Sequence, residues 1–168
     1  ATVNNEGKWE ITLSARPYNK TPQTMTISDD RGHETTLEDI LIGDVWLVGG
    51  QSNAELTVAP CVNHTQDLKI NANDAIRLFT QTQAFVMGSK DKTYTPQEDI
   101  IIPAWGWKTS NQSAVYAFSA LGYFCAKELY DQTDIPQGFI MIAAGGACLS
   151  ELFPAELAHD HKVHGAVH

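Results

Sequence analysis

The sequence lacks a continuous apolar run of the ~18 residues that a membrane-spanning helix needs, which argues against a transmembrane helix. Residues Ala1 to Asn5 contain no basic segment followed by an apolar one. We therefore expect a secretion signal to be absent or already removed. Internal repeats and low-complexity tracts are also missing, which leaves an ordinary globular composition with 43% hydrophobic residues.

Basic residues are scarce, since 11 Lys and Arg stand against 20 Asp and Glu, for a formal net charge of −9. Such a chain would be repelled by nucleic acid and by anionic membranes, so we expect neither as its main partner. A neutral substrate such as a carbohydrate ester is compatible with this charge. Cysteines are few, odd in number and without CxxC spacing. We expect Cys61, Cys125 and Cys148 to be buried small apolar residues rather than a disulfide framework.

The first 42 residues have the pattern of β-structure. Trp9, Ile11 and Leu13 alternate with polar residues, and a turn-rich segment at 28–32 separates two further apolar stretches. We predict strands at 8–13, 24–27 and 33–42. Three short antiparallel strands bury little surface by themselves. We therefore expect residues 1–42 to be the end of a β-sandwich whose earlier strands precede residue 1.

From Gly43 onward the pattern changes to that of an α/β layer structure. The apolar run at 45–50 predicts a strand covered on both faces of a parallel sheet, and 75–79 and 138–144 predict two more. Residues 80–113 are expected to be mainly loop. A helix is predicted at 114–130, ended by the Asp134–Pro136 segment, and another near 149–157. The apolar face of the first helix is predicted to be Val115, Phe118, Leu121, Gly122, Cys125, Ala126 and Leu129.

The stretch GGQSNAEL at 49–56 has two interpretations. Ser52 followed by Glu55 matches a capping box, in which the serine only begins a helix. Alternatively, Ser52 lies at the carboxyl end of a parallel strand and at a helix N-terminus, where a free N–H and the helix dipole favour an oxyanion. A serine in that position is a candidate nucleophile if a base lies nearby.

Gly43–Leu47 and Gly50–Asn53, read as GDVWL and GQSN, resemble the first block of the SGNH (GDSL-type) hydrolases, and most closely the sialate O-acetylesterase branch. Residues 118–129 and 135–147 resemble a helix and the second-block strand and Gly-Gly turn of that branch. The resemblance implies an α/β, parallel-sheet, flavodoxin-like three-layer fold. Residues 43–168 would be the N-terminal part of the hydrolase domain, and 1–42 the last strands of a preceding β domain.

By resemblance, the function is that of a serine esterase that removes O-acetyl groups from carbohydrates, of the sialic acid or xylan type, without a cofactor or metal. Ser52 matches the nucleophile, and its own N–H would be one oxyanion donor. Gly145 or Gly146 would supply another, and we favour Gly146 because it is nearer the next helix. Gln51 and Asn53 are expected to support the turn by hydrogen bonds. Secretion or a periplasmic location follows from the resemblance alone, and the oligomeric state is left open.

Several family features are missing. Ala54 replaces the usual Met, and Ser150 and Leu152 replace an acidic residue and Trp. The block that supplies an oxyanion Asn and the final Asp-x-x-His block are not found. In the tail, Asp160 and His164 are candidates for the base pair, although their spacing differs from that block. The tail histidines are expected to be solvated rather than to bind a metal.

The simplest expectation is that the chain is the N-terminal portion of a longer hydrolase whose catalytic histidine lies beyond residue 168. The alternative is a non-catalytic carbohydrate-binding or interaction module, and an acyl transferase would share the serine chemistry. Trp105 and Trp107 either form a platform for sugar rings or anchor a loop.

Overall fold

The computed structural model describes residues 1–61, 70, 72–81 and 106–147. The chain divides into two compact units, Ala1–Ile42 and Gly43–His168. The division falls where the sequence pattern changes from alternating to continuously apolar. Each unit is described separately below.

The first unit contains an antiparallel pair, β1 (Asn19–Ser28) and β2 (Glu34–Ile42). The turn between them is held by Asp29, which accepts the N–H groups of Arg31 and His33 at 2.9 Å each. The hydrogen bond from the His33 ring holds the pKa of the Asp29 carboxyl below its usual value. These two strands confirm two of the three predicted ones.

The third predicted strand, at 8–13, is wrong. Residues 8–18 form no strand, and the side chains of Trp9, Ile11 and Leu13 are 50%, 51% and 63% exposed. Alternating polarity produces a strand only where another strand edge can pair with it. Among the described residues, β1 and β2 pair only with each other.

The second unit contains a four-stranded mixed sheet. Its strands are β3 (Asp44–Val48), β4 (Ile76–Thr80), β5 (Trp107–Thr109) and β6 (Gln137–Met141). The spatial order is β3-β6-β4-β5, with β6 parallel to both β3 and β4 and with β5 antiparallel to β4. The three strands predicted in this unit are confirmed. The short β5 lies in the stretch that was predicted as loop, of which 82–105 fall outside the described residues.

Four helices are described in this unit: α1 (Ser52–Glu55), α2 (Val58–Cys61), α3 (Gln112–Tyr116) and α4 (Ala120–Thr133). The single helix predicted at 114–130 is therefore two helices. The chain breaks before Ser119, whose fully buried hydroxyl accepts the Gly122 N–H at 3.1 Å and caps α4. Asp134, with φ +55°, adopts the left-handed conformation at the end of α4. The predicted end of the helix at Asp134–Pro136 is therefore confirmed. The helix predicted near 149–157 lies outside the described residues.

The buried side of α4 agrees with the predicted one at Gly122 and Ala126 and differs from it elsewhere. Gly122, Tyr123 and Ala126 are buried, whereas Leu121 and Cys125 are exposed. The large Tyr123 ring packs into the core, which turns the Leu121 side of the helix outward. The expectation of buried cysteines is accordingly wrong for Cys125 and also for Cys61, both of which are exposed free thiols. Cys148 lies outside the described residues.

The core fills one face of the sheet. It combines strand residues with residues of the helices and of the segment before α4: Val48, Ile76, Leu78, Phe139 and Met141 with Val58, Val115, Phe118, Tyr123 and Ala126. On the other face, Val45 and Leu47 are 65% and 68% exposed. The prediction that this strand is covered on both faces is therefore wrong for the described part, which shows two of the three expected layers. Edge position and the packing of α4 on one face account for the difference.

No helix in the described ranges combines the length and apolarity needed to cross a bilayer.

The cap at Ser119 gives a stability prediction. Ser119→Ala removes the acceptor of the Gly122 N–H at the start of the longest described helix, so we expect the free energy of unfolding to fall by about 1–2 kcal/mol. Urea unfolding followed by tryptophan fluorescence measures it. Ser113→Ala, which removes an exposed hydroxyl on α3, is the control and should change stability by less than about 0.5 kcal/mol. Equal effects of the two substitutions would contradict the capping role.

Candidate active site

Two glycine-containing turns meet at the carboxyl ends of β3 and β6. Past the strand ends, the Ile142 N–H donates to the Val48 carbonyl at 3.0 Å, and the Ala144 N–H donates to the Gly50 carbonyl at 2.9 Å. These bonds continue the parallel ladder beyond both strands, so the turns that follow are held side by side. The carboxyl ends of parallel strands are where α/β sheets bind ligands.

The first turn leads directly into α1. Gly50 has φ +145°, which a residue with a side chain rarely adopts, and a Cβ there would lie 3.0 Å from that of Ala54. Gln51 is the N-cap of α1, and its carbonyl accepts the N–H groups of Ala54 and Glu55 at 3.0 and 2.9 Å. The backbone of Gln51 thus holds the turn. Within the described ranges, the side chains of Gln51 and Asn53 make no hydrogen bond, so their supporting role stays a prediction.

Ser52 is the first residue of α1 rather than its cap. The N-cap makes no side-chain hydrogen bond, and the Glu55 N–H is taken by the Gln51 carbonyl. The capping-box interpretation of Ser52 is therefore wrong. Ser52 is exposed, and its hydroxyl is not used to begin the helix. Because α1 has only four residues, the helix dipole at its N-terminus is weak, and the Ser52 N–H itself is the relevant positive group.

The second turn spans Ala144–Ala147 and is closed by the Ala147 N–H donating to the Ala144 carbonyl at 3.1 Å. Gly146 has φ +81°, as the third position of a type II turn requires. The Gly145 N–H donates to Oε2 of Glu55 at 2.7 Å. In the part of the chain that the structure describes, the N–H groups of Gly146 and Ser52 have no hydrogen-bond partner.

The two turns approach each other closely around Ser52. A Cβ built on Gly145 would lie 3.9 Å from Oγ of Ser52 and 2.4 Å from Oε2 of Glu55. The second distance is shorter than an ordinary Cβ contact, so a side chain at position 145 would displace the Glu55 carboxylate from its place against the second turn. The structure thus brings Ser52, Gly145 and Gly146 into one small region.

Known proteins resemble this chain in sequence and in fold. No protein-family model matches the chain. Sialate O-acetylesterases from Pongo abelii and Homo sapiens are each 29% identical to it over 115 residues, which is 66% of this chain and 21% of theirs. The crystal structure of a carbohydrate acetylesterase from Xanthomonas citri matches it with a TM-score of 0.77 and 28% identity. The chain is related to the sialate O-acetylesterases.

The relationship to the sialate O-acetylesterases confirms the predicted resemblance to that branch. The chain spans about a fifth of the length of these curated relatives, at 21%. The Xanthomonas citri structure covers 90% of this chain, with 32% of its own length. Residues 43–168 make up 75% of the chain, or 126 of 168 residues. Because the match covers 90% of the chain, it extends into residues 1–42.

In this relative of the sialate O-acetylesterases, the remaining predicted site residues are placed as follows. Asp160 and His164 lie outside the described residues, so their role as the base pair stays a prediction. Within the described ranges, no group of His, Cys, Asp and Glu is arranged to hold a metal ion. What the described residues offer is an exposed hydroxyl at Ser52 and, in the two adjoining turns, the unpaired N–H groups of Ser52 and Gly146. Unpaired N–H groups of this kind can receive the oxygen of a polarised carbonyl.

Trp107 lies on β5, at the far edge of the sheet from β3. Its ring contacts Phe79 with centroids 5.4 Å apart and covers Gly138, and 47% of the residue is exposed. These contacts favour an anchoring role, and the sugar-platform role stays a prediction. Trp105 lies outside the described residues.

Sequence reasoning did not find the contact between Glu55 and Gly145. It assigned Glu55 only to a capping box, because that pattern lies within one turn of helix. The partner is 90 residues away along the chain. The available signal was the pair of Gly-Gly turns that each follow a predicted parallel strand.

Proposed function

We propose that this chain carries the nucleophile and part of the oxyanion hole of a serine carbohydrate O-acetylesterase with an SGNH-type fold. The observation that carries the proposal is the convergence of Ser52 with the Gly145–Gly146 turn at the ends of two adjacent parallel strands. The names of the relatives, sialate O-acetylesterase and carbohydrate acetylesterase, support this reaction class. Residues 1–42 would then be the last strands of a β domain that precedes the hydrolase domain.

The reaction begins when Oγ of Ser52 attacks the carbonyl carbon of an acetyl ester, and a histidine takes the hydroxyl proton. The N–H groups of Ser52 and Gly146 stabilise the oxyanion of the tetrahedral intermediate. The C–O bond to the sugar then breaks, and the sugar oxygen takes the proton from the histidine. Water, deprotonated by the same histidine, attacks the acetyl carbon, the bond to Oγ of Ser52 breaks, and Oγ takes the proton back from the histidine as acetate is released. We place this histidine outside the described residues, either at His164 with Asp160 or further along the gene product.

A fluorophosphonate probe tests the proposal on the complete gene product. We expect covalent labelling at Ser52, located by peptide mass spectrometry, and acetate release from O-acetylated sialic acid or acetylated xylan. The attack on phosphorus needs the same nucleophile and oxyanion donors as the attack on the ester. Saturable sugar binding without labelling and without acetate would contradict the proposal and favour the non-catalytic binding module. Transfer of the acetyl group to a second sugar would identify an acyl transferase.

A further inference from the structure

We propose that Glu55 is a positioning residue for this site. Its carboxylate holds the second glycine turn against the nucleophile helix, so that the Gly146 N–H, and not the Gly145 N–H, faces the oxyanion. This inference rests on the proposed function.

The geometry shows how Glu55 joins the two turns. Oε2 of Glu55 accepts the Gly145 N–H at 2.7 Å, a short distance that is typical of a bond to a charged acceptor. The other end of the residue is fixed, because the Glu55 N–H donates to the Gln51 carbonyl and the neighbouring Ala54 is buried. Glu55 therefore belongs to the helix that begins with Ser52 and also binds the turn that contains Gly146.

The same bond decides between the two candidate glycines. The Gly145 N–H is occupied by a carboxylate, which a substrate oxygen would have to displace. The bond that closes the turn uses the Ala147 N–H and leaves the Gly146 N–H unpaired within the described ranges. Holding the Gly145 peptide plane in place also limits rotation of the adjoining Gly145–Gly146 peptide. A donor misplaced by ~1 Å can cost about 100-fold in rate, so this restraint matters for catalysis.

Hydrogen-bond acceptance, rather than negative charge, is the property that the site needs from Glu55. A carboxylate beside a developing oxyanion is by itself unfavourable, because like charges repel. Glutamine has a carbonyl oxygen in nearly the same position and no charge. We therefore expect Glu55→Gln to preserve the function that Glu55→Ala loses.

Kinetics of the complete gene product test the role. We expect Glu55→Ala to lower kcat by about 10–100-fold with KM changed by less than about threefold, because donor placement acts on the transition state. We expect Glu55→Gln to stay within about threefold of the unmodified protein. Glu128→Ala, which removes an exposed carboxylate on α4, should match the unmodified protein. An unchanged or raised kcat in Glu55→Ala, or an equal loss in Glu55→Gln, would overturn the inference.

A second readout does not depend on activity. The Gly145 amide proton should resonate downfield in ¹H–¹⁵N spectra, move upfield in Glu55→Ala and remain downfield in Glu55→Gln. If the chemical shift of the Gly145 amide proton were unchanged in Glu55→Ala, the bond would not be formed in solution, and the inference would be overturned. Full activity of Ser52→Ala would instead reject the proposed function, and the spectra would still decide whether Glu55 holds the turn.

Discussion

Replacing Ser52 with alanine is expected to reduce acetate release by the complete gene product by about 10⁴-fold or more. The substitution removes the atom that attacks the ester, and in serine hydrolases the members of the catalytic group act as a unit, so the loss of the nucleophile removes nearly all of their joint effect. Release of acetate from an O-acetylated sugar, followed by a coupled acetate assay, measures the change. Ser113→Ala, at an exposed serine on α3, should retain full activity.

The same substitution separates the catalytic interpretation from the capping one. Since the Ser52 hydroxyl does not cap α1, its loss should change the free energy of unfolding by less than about 0.5 kcal/mol. A capping serine would instead cost about 1 kcal/mol when replaced by alanine. A large fall in activity with unchanged stability supports the nucleophile. Activity lost in proportion to stability would mean that Ser52 has a structural role in solution.

The position of the two glycine turns was predictable because their signals are local. An apolar run that ends in Gly49-Gly50 and a second that ends in Gly145-Gly146 each predict a strand followed by a tight turn. Parallel strands of one sheet present such turns at the same edge, and the pairing of β3 with β6 does so. The roles of these residues in catalysis remain predictions.

The features that could not be predicted depend on partners that are distant in the sequence. Trp9, Ile11 and Leu13 have the period of a strand, but a strand also needs a neighbour to pair with. Which side of α4 is buried depends on how the Tyr123 ring packs. A ranking by hydrophobicity places Tyr below Leu and therefore favours burial of Leu121 over Tyr123. The Glu55 carboxylate reaches Gly145 only because both turns extend the same ladder, and no local pattern indicates this contact.

The second large effect is expected from Gly43→Ala. A Cβ at position 43 would lie 2.1 Å from the Pro136 carbonyl oxygen and 2.7 Å from the Pro136 carbonyl carbon. These are backbone atoms, so the clash cannot be relieved by a side-chain rotation. The adjacent Asp44 N–H donates to the same oxygen at 3.0 Å and begins the pairing of β3 with β6. We expect the free energy of unfolding to fall by about 3 kcal/mol or more, measured by urea titration.

Gly49→Ala is the matched control at the other end of β3. A Cβ at position 49 would have Ile142 side-chain atoms at 3.9 Å as its nearest contacts, which is ordinary van der Waals distance. We expect its effect on stability to be below about 1 kcal/mol. If Gly43→Ala were equally mild, strand β3 would not lie against Pro136 as described. Since the β3–β6 ladder also places the two glycine turns, shifting its first bond should lower acetate release even in the molecules that remain folded.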